Sequence, residues 1–400
     1  MHRIRLIFVA VALMSVQVLG ATTRPASGPA GLTEAQRVEV SRLSRRAVDQ
    51  IELRKFADAE QTLGEALKIM PDNSTCLFNL ACVHAAMRRP RIALEDLNHA
   101  TAAGFTDFSH LDADPVFSEV RELPGYGELV SRKTEIVHAA GERIIGELKA
   151  KLGEKYLYEA DEKRKFVFAA RGTRAQLDEL EKSLNEQAAS LSELIFSHPS
   201  DEFIRIVLAT PVDFAKLEKR PGVEGYYDDS TRTLLVRRSG AELRHEFTHA
   251  LHAADQHALG QAHPIWLSEG LATLYESPQS GTDAIKMLPG ETWRLSGVQA
   301  AVRGGGLIPL DQLLTMNRKA FTERADLAYG EAGSLLMYFQ DQKKLKAFYA
   351  AFTANYAKDP SGREALEIAS GGSLADLQKA WVQWLMGRVP PAKRDSKSIR

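Results

Sequence analysis

The sequence predicts an α+β protein in which an N-terminal helical module precedes a domain built from a small mixed sheet and helices. Three observations support this fold class. An internal repeat in the first third of the chain predicts paired helices. A strand, a helix, a second strand and a hairpin follow in the middle, and helical patterns occupy most of the remainder. The length of 400 residues agrees with two or three domains.

The composition excludes several classes of protein. Hydrophobic residues make up 44% and charged residues 26% of the chain, which are ordinary values for a globular protein. The net charge of −1 gives no bulk attraction for nucleic acid, so no nucleic-acid partner is expected. The only cysteines, Cys76 and Cys82, fall on opposite sides of one predicted helix. Neither a disulfide framework nor a thiolate metal site is therefore expected.

Residues 1–20 have the layout of a secretory signal. Two arginines precede an apolar run from Leu6 to about Val18, and the small residues Gly20 and Ala21 follow. The run is short for a transmembrane helix, which needs about 20 apolar residues. We therefore expect an exported protein, periplasmic or secreted, without a stable membrane span. The alternative is an uncleaved signal that tethers the chain to a membrane.

Segments at the two ends of the chain are expected to lie outside the folded domains. Residues 21–37 are rich in Pro, Gly, Ser and Thr over most of their length and are predicted to form a linker. Residues 389–400 are interrupted by proline and are basic, so they are predicted to form a solvated tail.

An internal repeat with a period of 34 residues covers residues 40–107. Pro71 closes the first copy, and Phe105 stands at the equivalent place in the second. Small alanines let paired helices approach closely, and leucines fill the seam between them. The aligned pairs are Leu43 with Leu77, Ala47 with Ala81, Ala59 with Ala93, Leu63 with Leu97, and Ala66 with Ala100.

With this period and pattern, residues 38–132 resemble two tetratricopeptide repeats followed by short capping helices. Two repeats are fewer than the three or so that usually stand alone, so the cap or the next domain must cover the exposed face. The resemblance implies a groove for a protein partner. The alternative is that the repeats only pack against the rest of the chain.

A charged helical pattern over residues 133–160 predicts a connecting helix, and residues 161–388 are predicted to form the second domain. Its first elements are a strand at 165–169, a long amphipathic helix, a second strand at 203–208 and a hairpin over 225–238. The second arm of the hairpin, 233–237, is expected to be an edge strand.

His245, Glu246 and His249 follow this hairpin and spell H-E-x-x-H. Histidines four apart on a helix point at one spot and can ligate one metal ion, with Glu246 beside the place of a bound water. Glu269 lies twenty residues beyond His249 on a segment with helical spacing, which lets a second helix fold back beside the first. Two histidines, a glutamate and one water complete a four-coordinate zinc site with an open position.

Other residues near this motif are alternatives as metal ligands. Asp255 would need a helix break at position 252, where the chain has His252, so a continuing helix carries Asp255 away from the metal. His252, His257 and His263 are less favoured than Glu269, because histidine is often a buried or surface residue without a ligand role.

The paired motifs resemble those of the gluzincins, a family of zinc metallopeptidases. HEFTH is followed by WLSEGLA, which differs only slightly from the WLNEGFA of zinc aminopeptidases. Residues 165–275 resemble most closely the peptidase-MA-like domains found beside tetratricopeptide repeats, whose GYYD hairpin, HExTH helix and WLxEGLA helix come in this order. The resemblance implies a zincin-like fold, zinc as cofactor and a peptide or protein as substrate.

The resemblance also implies the roles of individual residues. Zinc held by His245, His249 and Glu269 would lower the pKa of its water to about 7, and Glu246 would act as general base. A tyrosine or histidine from a later helix would bind the oxyanion, and Tyr329 is the candidate, with packing as its alternative role. Weaker candidates are Tyr226, Tyr227 and Tyr338.

Thr273 stands four residues after Glu269, where thermolysin-like enzymes carry an aspartate that orients a zinc-bound histidine. A threonine cannot supply that carboxylate. The sequence therefore does not identify the partner of the histidine.

These observations predict an exported zinc-dependent peptidase. An endopeptidase is favoured because the segment before HEFTH lacks the GxMEN motif with which zinc aminopeptidases bind a free amine; Glu224 is the only nearby glutamate. The alternative function is a non-catalytic protein-binding scaffold in which the repeats carry the function and the metal domain is structural. Glu246 argues against the scaffold, because a structural metal site needs no general base.

Overall fold

The computed structural model of the chain describes residues 33–276, 279–280, 287–288 and 294–388. The predicted signal, the linker up to residue 32 and the basic tail lie outside the described residues. Among the described residues, no helix combines the length and the apolarity that crossing a bilayer requires. The chain is α+β and divides into two compact units, one within residues 1–174, 200–223 and 228–237, the other within 175–199, 224–227 and 238–400.

Helices form the N-terminal part of the first unit. The first of them begins at Glu34, inside the predicted linker, because Thr33 and Gln36 form a reciprocal capping box at its N-terminus. The helices are α1 (Glu34–Glu52), α2 (Phe56–Ile69), α3 (Ser74–Ala86), α4 (Pro90–Ala102), α5 (Phe108–Ala113), a 3-10 turn (Pro115–Phe117), α6 (Ser118–Arg121), α7 (Pro124–Ser131) and α8 (Lys133–Leu152).

The ten residues that the 34-residue period aligns are all buried in the core of these helices. The ring of Phe105 stacks on Phe78 with 4.3 Å between the ring centroids. Cys76 and Cys82 both lie in α3, buried and unbridged, as the sequence predicts. The periodicity therefore marks buried seam positions, and the tetratricopeptide assignment itself stays a prediction.

The connecting helix is shorter than the sequence predicts. Helix α8 ends at Leu152 because Gly153 adopts a φ of +82°, a conformation that favours glycine and terminates helices. The residues that follow form a strand, β1 (Leu157–Asp161), which pairs antiparallel with β2 (Phe166–Ala170). Pairing with β2, which begins after a connection of four residues, thus overrides the helical pattern assigned to residues 153–160.

The sheet has the strand order β1-β2-β3-β5-β4, with β3 (Ile204–Leu208), β4 (Gly225–Asp228) and β5 (Thr233–Val236). Strand β3 runs parallel to both β2 and β5. The prediction of an edge strand at 233–237 is wrong, because β5 lies between β3 and β4. Its side chains Leu234 to Val236 are all buried, which is the pattern of an internal strand covered on both faces. Strand β4 lies at the edge.

Helices also provide most of the second unit; the short helix α10 (Pro211–Leu217) falls in the first unit instead. The helices of the second unit are α9 (Arg174–Leu194, from Ala175 onward), α11 (Ala241–Leu259), α12 (Ile265–Leu274), α13 (Leu295–Gly304), α14 (Leu310–Thr315), α15 (Arg318–Glu323), α16 (Ala325–Asp341), α17 (Leu345–Asn355), α18 (Arg363–Ser370) and α19 (Leu374–Met386). The short strands β6 (Gln279–Ser280) and β7 (Met287–Leu288) pair antiparallel.

Helix α12 is buried along its whole length and packs closely against α16. Two glycines allow this approach. A Cβ atom at Gly270 would lie 2.9 Å from a methyl carbon of Leu336, and one at Gly333 would lie 2.5 Å from Thr273 Cγ2. A side chain at either position would force the two helices apart. The glycine of WLSEGLA therefore fixes the position of the helix that carries Glu269.

Candidate metal centre

Helix α11 places the two histidines of HEFTH side by side. The helix begins after Gly240, whose φ is +124°, and continues without a break to Leu259. His245 and His249 therefore lie one turn apart on the same face, with their ring centroids 4.8 Å apart. Gly260, in the left-handed conformation, ends the helix and lets the chain return toward it.

Glu269 of α12 completes a group of three ligand atoms. Its Oε2 atom lies 3.3 Å from Nε2 of His245 and 3.2 Å from Nε2 of His249, and the two Nε2 atoms are 3.1 Å apart. Among the described residues, these are the His, Cys, Asp or Glu side chains whose ligand atoms lie close enough together to bind one metal ion.

The three atoms fit a zinc ion in spacing and in chemistry. Tetrahedral zinc with bonds of about 2.0–2.1 Å keeps its ligand atoms about 3.3 Å apart, close to the observed triangle. One proton can bridge only one pair of the three atoms, whereas a cation equidistant from them satisfies all three lone pairs at once. Two imidazoles with one carboxylate are also a donor set that catalytic zinc sites use.

The electrostatics of the group place negative charge on Glu269. Burial alone raises the pKa of a carboxyl group, but the charges and hydrogen bonds of His249 and His245 outweigh burial and hold the pKa of Glu269 well below its usual range. Burial lowers the pKa of His245, yet the hydrogen bonds to Glu269 and Glu276 raise it well above the usual value. The site therefore stabilises positive charge between these side chains.

Glu276 also belongs to the candidate site, although the sequence analysis does not identify it. Its Oε1 atom accepts a hydrogen bond from Nδ1 of His245 over 3.2 Å, which leaves Nε2 as the ring nitrogen that would bind a metal ion. Thr273 does not take this role: its buried hydroxyl finds no partner among the described residues. The available signal was a second glutamate seven residues after Glu269, two helical turns further along.

Two arginines hold Glu276 in place. Arg294 donates from Nε to Glu276 Oε2 over 3.1 Å and from Nη2 to Oε1 over 3.2 Å, a two-point contact that fixes the carboxylate plane. Arg244 donates to the backbone carbonyls of Tyr275 and Glu276. The orientation of His245 therefore depends on residues from three separate segments of the chain.

Glu246 lies beside the three ligand atoms without belonging to the group. Its Oε2 atom accepts the backbone N–H of Tyr227 in β4 over 2.9 Å. Glu246 also faces a cavity of about 260 Å³. The cavity is lined by Glu242, His245, Glu246, Glu276, Arg294, Ala325 and Tyr329.

The structure brings Tyr329 of α16 into this cavity. Its ring lies 6.1 Å from the ring of His245, and the guanidinium of Arg294 lies 5.1 Å from its ring centroid. Burial raises the pKa of the Tyr329 phenol further above its usual value, so the hydroxyl stays protonated and able to donate. Tyr338 instead packs against Trp384, with the ring centroids 5.8 Å apart, and lines a different part of the unit.

The other histidines of this region and Asp255 lie apart from the ligand group. Nε2 of His252 lies 2.7 Å from Nδ1 of His263, so these two rings bond to each other. The buried carboxylate of Asp255 accepts hydrogen bonds from Tyr349 and from His198. Helix α11 continues past Asp255, as expected from the sequence. His257 is likewise not part of the group of three.

Comparisons with protein-family models, with curated proteins and with solved structures give no match for this chain. They add neither a residue nor an activity to the site. Its interpretation therefore depends on the geometry of the described side chains.

Proposed function

We propose that this chain is a zinc-dependent peptidase with His245, His249 and Glu269 as metal ligands. The observation that carries the proposal is the triangle of ligand atoms 3.1–3.3 Å apart, next to a carboxylate that is not a ligand. When bound, zinc supplies Lewis acidity, which lowers the pKa of water and polarises a carbonyl group. The chain's own side chains supply orientation and proton transfer.

Glu246 acts as the general base and then the general acid. The backbone N–H of Tyr227 holds its Oε2 atom, and Oε1 takes the proton of the attacking water. The same oxygen then delivers that proton to the leaving amine. Tyr329 donates from its hydroxyl to the oxygen of the scissile carbonyl as negative charge develops there.

Strand β4 supplies the surface for the substrate backbone. It is the edge of the sheet, and its contact with Glu246 places this edge beside the general base. An extended peptide can add to a strand edge through main-chain hydrogen bonds without needing a free terminus. This arrangement favours endopeptidase cleavage, with β4 in the place that the sequence had suggested for residues 233–237.

The rest of the chain is part of the proposal as well. Burial of all ten aligned positions supports tetratricopeptide repeats within residues 38–132, with a protein partner as their ligand. The helix pair α11 and α12 supports a zincin-like domain within residues 161–388. Export follows from the N-terminal sequence pattern alone.

The proposal is tested by incubating zinc-loaded protein with an unbiased peptide library, using the wild type and Glu246→Gln. We expect internal cleavage by the wild type and a loss of about 10²–10⁴ in kcat for Glu246→Gln, because the amide cannot carry a proton. Glu246→Gln should keep its zinc, since residue 246 is not a ligand. Undiminished hydrolysis by this variant would contradict the mechanism, and a zinc-loaded wild type that cleaves nothing would favour the scaffold.

A further inference from the structure

Three carboxylates line the cavity beside the metal ligands, and they differ in what neutralises them. Glu276 bonds to Arg294 and to His245. Glu246 accepts the backbone N–H of Tyr227. For Glu242, the described part of the chain offers no hydrogen bond and no ion pair, although its side chain is half-buried.

Glu242 lies on the face of α11 that also carries His245 and Glu246. It lies three residues before His245 and four before Glu246, so all three side chains project from one side of the helix into the same cavity. A cation that enters the cavity would meet the Glu242 carboxylate without breaking a hydrogen bond among the described residues.

Glutamate in the first turn of a helix has a simpler explanation, because it complements the helix dipole. Glu364 provides the comparison: it is also the second residue of its helix, α18, and the N-cap of that helix is also a glycine. Glu364 is exposed and bonds to Asn355. The dipole therefore explains a glutamate at this position of a helix, but it does not explain one half-buried in a cavity without a partner.

We propose that Glu242 forms a subsite for a cationic side chain, that of lysine or arginine, on a residue next to the scissile bond. This inference rests on the proposed function, since the cavity must receive a peptide. A basic side chain entering the cavity forms a charge-assisted hydrogen bond with the Glu242 carboxylate. The enzyme is then selective for peptides that carry a positive charge near the cleaved bond.

Binding is the direct test, measured on full-length, zinc-loaded Glu246→Gln so that no peptide is consumed. The probes are acetylated peptides in which one position in turn carries arginine or its neutral isostere citrulline. We expect about tenfold tighter binding of arginine at one position, and loss of that preference when Glu242→Gln is added. Glu242→Lys should invert the preference, favouring glutamate at that position.

The matched control is Glu364→Gln, which removes a first-turn glutamate outside the cavity and should keep the arginine preference. An equal affinity for arginine and citrulline peptides, or a preference that survives Glu242→Gln, would overturn the subsite. A free N-terminal amine is another source of positive charge. If only unacetylated peptides bind, and do so through Glu242, the cation is the terminus and the side-chain proposal is wrong.

Hydrolysis by the wild type separates this inference from the proposed function. Cleavage without charge preference would overturn the subsite and leave the peptidase standing. Charge-selective binding without any cleavage would contradict the peptidase and leave Glu242 as a cation-binding residue.

Discussion

Helix α11 carries histidines into two buried environments of opposite character. His245 faces two carboxylates, which raise its pKa well above the usual value although burial opposes them. His252, two turns further along, faces His263 and aromatic rings, and burial lowers its pKa well below the usual value. Burial is common to both, so it does not make a histidine a metal ligand. The difference lies in the carboxylates that neighbouring segments supply.

A carboxylate, that of Asp255, also lies near His252, but its oxygen atoms accept hydrogen bonds from other groups. Asp255 accepts backbone N–H groups of Ser197 and His198, each over 3.0 Å, and the hydroxyl of Tyr349 over 2.7 Å. These bonds tie the end of the α9 segment and α17 to α11. Asp255 is therefore a structural anchor, whereas Glu269 and Glu276 meet the histidine rings.

Within this comparison, the largest effect on zinc binding is expected at Glu276. Glu276→Gln should weaken zinc affinity about 10–100-fold, because the amide loses the charge that Arg294 clamps and that raises the basicity of His245. The measurement is competition with a chelator of known affinity. Asp255→Asn is the matched control, because it removes the charge of the buried carboxylate near His252. This variant should keep the zinc affinity of the wild type. Equal affinities of all three proteins would contradict the role of Glu276.

The second comparison concerns the pH dependence of stability at His252 and His263, the two buried rings that bond to each other. Burial lowers the pKa of His263 to about 3, while an unfolded histidine titrates near 6.5. As the pH falls from 6.5 toward 3, His263 binds a proton in the unfolded state but not in the folded state. The free energy of unfolding therefore falls by about 1.4 kcal/mol per pH unit.

Replacing this ring should remove that cost. The free energy of unfolding of His263→Gln, measured with urea, should therefore fall less steeply with acid than that of the wild type, and the two values should converge below pH 6. Parallel curves from pH 7.5 to 5 would show that His263 does not titrate differently in the folded state.

The third comparison concerns Tyr349, where the effect should fall on stability and not on zinc. Tyr349→Phe removes one hydrogen bond to a buried carboxylate and should lower the free energy of unfolding by about 1.5–3 kcal/mol. Zinc content should not change, because Tyr349 contacts the structural anchor and not the ligand group. Loss of zinc from a folded Tyr349→Phe protein would show that the two environments of α11 are coupled.

The sequence predicts features that depend on residues close together along the chain, and it fails where distant segments come into contact. The convergence of His245 and His249 depends on helix periodicity alone, and Glu269 needs only a helix that folds back. The hairpin of β4 and β5 follows from a local pattern, but the internal position of β5 depends on its pairing with β3, which no local pattern specifies. The contacts of Glu276 with Arg294 and His245 likewise join distant segments. Local spacing therefore predicted the ligand atoms, and tertiary packing decided what orients them.

The central claim is that one metal ion binds between His245, His249 and Glu269, and metal analysis of purified full-length protein tests it most directly. We expect about one zinc ion per chain in the wild type and in His252→Ala, and none in His245→Ala or His249→Ala, with severe weakening in Glu269→Ala. Full zinc retention by folded His249→Ala or Glu269→Ala, or loss of zinc from His252→Ala or Asp255→Ala alone, would contradict the site.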